Sequence, residues 1–122
     1  MKYLISFNES FRSESIKSDV EDIFHSEVDG VGFVMYDSVS LRGELVFDIT
    51  NEEQSTFTLV KSFKLGELDS FIRRLFLWAE VSLCEISLIY LDGFGFRTIM
   101  REDLASLGEK SLNRLIIIVR VF

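Results

Sequence analysis

Proline is absent from the 122 residues, and cysteine and histidine occur once each, as Cys84 and His25. No proline-rich linker divides the chain, so one domain spanning 1–122 is expected. A lone cysteine cannot form an intrachain disulfide, which fits a reducing, cytoplasmic compartment. One cysteine and one histidine also fall short of a four-ligand zinc site. The apolar runs Leu75–Leu91 and Leu115–Phe122 are too short, or too interrupted by Glu80, Glu85 and Arg120, to span a bilayer. The run Tyr3–Phe7 is too short for the core of a signal peptide.

Positive charge is also scarce. Thirteen Lys and Arg stand against twenty Asp and Glu, a net charge of −7. Such a surface repels phosphate, so nucleic acid is not an expected partner. The glycine pattern Gly93-Phe94-Gly95 lacks the remaining elements of a dinucleotide or phosphate loop. There is no Gly-x-Ser-x-Gly elbow, and the acids do not follow calcium-loop order. With His25 read onto a solvated helix face and Cys84 read as a small core residue, no catalytic set emerges. The chain is expected to be a non-enzymatic protein without cofactor or metal.

What is present is a foldable apolar pattern rich in phenylalanine, with 12 of them. The spacing Ile16, Val20, Ile23 and Phe24 predicts a helix. Ser13 is its expected cap, and Glu14, Ser18, Glu21, Asp22 and His25 form its wet side. Leu65–Glu80 predicts a second, broader-faced helix. Strands are expected at Lys2–Phe7, Val31–Tyr36, Leu83–Leu91 and Phe94–Met100. A hairpin is expected between Leu41–Ile49 and Phe57–Phe63. Arg101–Gly108 suggests a helical turn, and Leu115–Val119, apolar on both faces, a buried central strand. The fold class is α+β: one mainly antiparallel sheet with two principal helices packed on it.

The acid is unevenly placed. Residues 8–40 hold Glu9, Glu14, Asp19, Glu21, Asp22, Glu27, Asp29 and Asp37 against only Arg12 and Lys17. A patch of that kind speeds encounter with a cationic partner and disfavours others. The candidate partner-binding residues are therefore Glu14, Asp19, Glu21, Asp22, Glu27, Asp29 and Asp37. Tyr36 or Phe33 is the aromatic anchor expected beside them. Arg73, Arg74, Arg97 and Arg101 are expected to pair with neighbouring carboxylates.

A small, acidic domain with charge on one side and no catalytic set resembles the immunity proteins of bacterial toxin–immunity systems, including those of contact-dependent growth inhibition. The resemblance is one of general character over the whole chain. It implies a cytoplasmic inhibitor that covers the active site of a cognate toxin domain, a basic nuclease for instance. Two other readings stand beside it. Acidic secretion chaperones for bacterial effectors share the size and charge but are expected to open and close with helices. A small-molecule-binding domain would assemble its site from distant residues.

Overall fold

The computed structural model describes residues 2–28, 32–51, 62–92 and 95–121, with side chains from residue 14 onward. Helix α1 spans Lys2–Val28 and helix α2 spans Asp69–Ser82. Five strands, β1 (Phe33–Val39), β2 (Leu45–Asn51), β4 (Cys84–Asp92), β5 (Gly95–Ile99) and β7 (Arg114–Val121), form one antiparallel sheet in the order β1-β2-β7-β4-β5. Two short strands, β3 (Phe63–Lys64) and β6 (Ser111–Leu112), pair separately. The expected α+β architecture is what the chain adopts.

The central position of β7 follows from its composition. Leu115, Ile117 and Val119 are fully buried on one face, opposite Ile49, Phe47 and Leu45 of β2 and Tyr90, Leu88 and Ile86 of β4. Their alternates Ile116 and Ile118 are half-buried on the other face. Both helices lie on the first face. Ile16, Val20, Ile23, Phe24 and Val28 of α1 join Phe71, Ile72, Leu75 and Ala79 of α2 in the same core. Phe24 meets Phe71 edge to face, with ring centroids 5.7 Å apart, at the contact between the helices. Phe71 is wholly inaccessible, so truncation to alanine there costs about 3–5 kcal/mol.

Two expectations are overturned. Residues 2–7 belong to α1 and form no strand, and Ser13 lies inside that helix, so it is not a cap. A short apolar run is ambiguous between helix and strand. Here no glycine or proline precedes Gly30, so a helix held by the packing of 16–28 extends backwards at little cost. The hairpin is also displaced. β2 pairs with β1, with Asp37 opposite Phe47 and Val39 opposite Leu45.

The turn of that hairpin is Ser40–Gly43. The Ser40 hydroxyl accepts from the backbone N–H groups of Arg42 and Glu44 at 3.2 and 3.1 Å. Gly43 supplies the positive φ of +82° that the turn requires. Phe63 pairs with Leu112 instead of joining β2, while the expected partner residues 57–61 lie outside the described residues. The remaining expected strands, the second helix and the short helical turn, at Arg101–Asp103, are present within a few residues of their predicted bounds.

Entry to α2 is built around close backbone contact. A 3-10 turn at Leu65–Leu68 leads into the helix, and the Glu67 carboxylate accepts from the Lys64 N–H at 2.9 Å. The Leu65 and Gly66 N–H groups donate to the carbonyls of Lys110 and Gly108, at 3.0 and 2.9 Å. At its other end α2 stops on Leu83, whose φ of 57° and ψ of 45° are left-handed, a conformation usually left to glycine.

Candidate protein-docking surface

The outer surface of the two helices carries the acid. Glu14, Ser18, Asp22 and His25 are exposed on α1, and Glu21 is half-exposed. Glu14, Glu21 and Asp22 have no ion-pair partner among the described residues. The other candidate acids hold the domain together. Asp37 on β1 pairs with Lys17 at 3.2 Å. The Glu27 carboxylate and the Ser26 hydroxyl accept from the Arg74 guanidinium, both at 2.9 Å. Asp19 accepts from the Trp78 indole N–H at 3.1 Å. Hydrogen bonding to Asp37 and its charge, with smaller contributions from Glu21 and Glu14, raise the Lys17 amine above the ordinary lysine value.

These contacts divide the predicted residues. Glu14, Asp19, Glu21, Asp22 and Glu27 share α1, with Asp19 and Glu27 bound to α2 and Asp37 reaching α1 from β1. Tyr36 does not join them. It alternates with Asp37 along β1 and lies opposite Asp48 of β2, which puts it on the sheet face turned away from the helices. It is 63% exposed there. Phe33 is buried and stacks edge to face on Phe63 at 5.0 Å, so it is not available as an anchor. Asp29 lies outside the described residues.

The aromatic residue that does lie beside the acid is Trp78. Together with Asp19, Asp22, Ile23, Leu77 and Val81 it lines a groove of about 550 Å³ between α1 and α2. Leu77 and Val81 are 60% and 85% exposed. The available sequence signal was their position on the helical wheel: Leu77 falls on the side of Ser70, Arg73 and Arg74, opposite Phe71, Ile72, Leu75 and Ala79. With Val81 and the half-buried Trp78 beside it, Leu77 extends an exposed apolar strip along α2.

Across Leu77 lies a second groove of about 330 Å³, lined by Arg73, Phe76, Arg101, Glu102 and Leu104. Here the Arg101 guanidinium sits 4.9 Å over the Phe76 ring and pairs with Glu80 at 2.8 Å. Leu77 thus stands between a groove lined by Asp19, Asp22 and Arg74 and one lined by Arg73, Arg101 and Glu102.

Arg73 and Arg97 pair with carboxylates, as expected of them. Arg73 pairs with Asp69 at 2.8 Å, and Arg97 and Lys110 approach the nearly buried Asp92 at 3.6 and 3.5 Å. On the open sheet face Arg114 pairs with Asp48, and Arg120 with Glu44. Cys84 is buried in β4, and His25 is exposed on α1. Among the described residues no cluster of His, Cys, Asp or Glu has metal-binding geometry, and no helix is long and apolar enough to cross a membrane. Comparison with protein-family models, curated proteins and solved structures returns no match.

Proposed function

We propose that this protein is a stoichiometric inhibitor of the toxin–immunity kind, docking its α1–α2 surface on a basic toxin domain and covering that domain's active site. The observation that carries the reading is the groove itself. It sets exposed Leu77 and Val81 and the Trp78 ring beside Asp19 and Asp22, with Glu14 and Glu21 on the same helix. Interface energy concentrates in desolvated aromatic and apolar anchors, while a charged rim governs encounter rate and partner choice. A nuclease holds phosphate with lysine and arginine, so an acidic inhibitor occupies the ground its substrate needs.

The test is affinity capture of the tagged protein's partner, followed by an activity assay on whatever is recovered. A basic enzyme domain recovered near one to one, inactive in the complex and active when freed, supports inhibition. Association should slow with salt, and the variant Glu14→Gln/Glu21→Gln/Asp22→Asn should bind more slowly. A partner that stays active in the complex overturns the reading.

A secretion chaperone stands as the second reading, since residues 2–7 are helical where a strand is expected from the sequence. The same capture separates the two. A chaperone would hold an effector in an extended, incompletely folded segment, whereas an inhibitor holds a folded enzyme.

A further inference from the structure

We propose that the α1–α2 groove is a seat for an arginine side chain presented by the basic partner, the guanidinium lying over Trp78 between Asp19 and Asp22. The inference rests on the docking reading above and names the chemistry that the surface selects.

The domain's own second groove shows the arrangement complete. There Phe76 is covered by the Arg101 guanidinium, which Glu80 fixes from the side. On the other flank of Leu77 an aromatic ring and carboxylates again line a groove, and no cation lies over Trp78 among the described residues. Arg74 also lines the groove, but its guanidinium donates to Ser26 and Glu27, so its charge is already balanced. Asp19 is held in place by the Trp78 N–H, which fixes carboxylate and ring relative to each other before any guest arrives.

A guanidinium suits this site better than an ammonium. It is planar, stacks on an indole face, keeps donors at its edge for carboxylates, and sheds water more easily. At about 550 Å³ the groove exceeds one side chain, so flanking apolar atoms of the partner also rest on Leu77 and Val81.

Trp78 is the chain's only tryptophan, so its emission reports on this groove alone. The probes are a capped tri-arginine peptide and a capped tri-lysine peptide of equal charge, titrated at low salt. Calorimetry provides a second readout should the emission prove insensitive. Tri-arginine is expected to bind saturably, with tri-lysine at least about fivefold weaker. The double variant Asp19→Asn/Asp22→Asn is expected to weaken tri-arginine about tenfold or more, because both carboxylates are lost. The side-chain amide introduced by Asp19→Asn still offers an oxygen to the indole N–H, so the fold is retained, and a cooperative unfolding transition close to the parent's checks this.

Equal affinity for the two peptides would mean that only the general field acts, and would overturn the seat. So would an affinity unchanged in the double variant, or no binding of tri-arginine by either readout at millimolar concentration. The outcomes separate from those of the capture experiment. A captured enzyme bound equally well by the double variant removes the seat and leaves inhibition standing. Selective tri-arginine binding with no inhibited partner does the reverse.

Discussion

The approach of the 3-10 turn to the segment before β6 gives two alanine substitutions of opposite sign from one contact. A Cβ added to Gly66 would fall 2.9 Å from the Gly108 carbonyl oxygen and 3.5 Å from its Cα and carbonyl carbon, all of them backbone. Backbone has no rotamer to escape into, so the two segments must part. That strains the bonds from Leu65 to Lys110 and from Gly66 to Gly108. Overpacking of this kind costs about 1–3 kcal/mol. For a chain of this length that is a fall of roughly 4–12 °C in Tm.

A Cβ on Gly108 meets nothing within 4 Å, and its φ lies outside the left-handed range. Gly108→Ala therefore acts mainly by restricting the unfolded chain, a gain of about 0.4–1 kcal/mol. Urea unfolding with a common slope measures both. The reasoning fails if Gly66→Ala lies within about 0.5 kcal/mol of the parent, the ordinary scatter of surface changes. It fails equally if Gly108→Ala is as damaging as Gly66→Ala.

Three further outcomes are expected. Asp19→Ala leaves the half-buried Trp78 N–H without its acceptor and costs about 1–3 kcal/mol in chemical denaturation, whereas Asp19→Asn costs less than half as much. The Lys17 amine, raised by Asp37, makes its contribution below the ordinary lysine value and loses it as pH climbs through the raised one. In Asp37→Asn the amine, followed by NMR, should titrate lower and that alkaline loss should shrink to the smaller part due to Glu21 and Glu14. Leu83→Val places a β-branched residue at φ 57° and should lower stability by about 1 kcal/mol or more, while Leu83→Gly should not.

The period-two and period-3.6 patterns were sufficient for α2, β4, β5 and the central β7, because burial of one face by tertiary packing reinforces the local preference there. They failed where a segment's preference was weak and its partner distant. Tyr3–Phe7 satisfies either period locally, and only its continuity with 16–28, unbroken by Gly or Pro, decides for helix. Ser40–Gly43 was hidden inside an alternating stretch, since Leu41 has the right polarity for a strand but is fully exposed in the turn. The acid of α1 was legible as composition. Its division was not, because the partners Trp78 and Arg74 lie 59 and 47 residues away in sequence.

That division bears on why the acid is there. Beyond β1 many carboxylates are matched with bases, Glu44 with Arg120, Asp48 with Arg114, Asp69 with Arg73, Glu80 with Arg101 and Glu109 with Lys64, while Glu85, Glu102 and Asp103 have no ion pair among the described residues. On α1 the carboxylates that support the fold are Asp19 and Glu27, joined by Asp37 from β1, each with a defined partner on a neighbouring element. Glu14, Glu21 and Asp22 have none among the described residues, and Glu14 and Glu21 add to the field already acting on Lys17. Surplus charge of one sign weakens a compact state through self-repulsion, so folding does not account for retaining it. Of the three, Asp22 lines the groove where exposed Leu77 and Val81 adjoin an aromatic ring, and the proposed docking role draws on that coincidence. Neutralising those three residues should therefore leave unfolding unchanged or slightly delayed while slowing capture of the partner, a pairing of effects that a purely structural role for them would not produce.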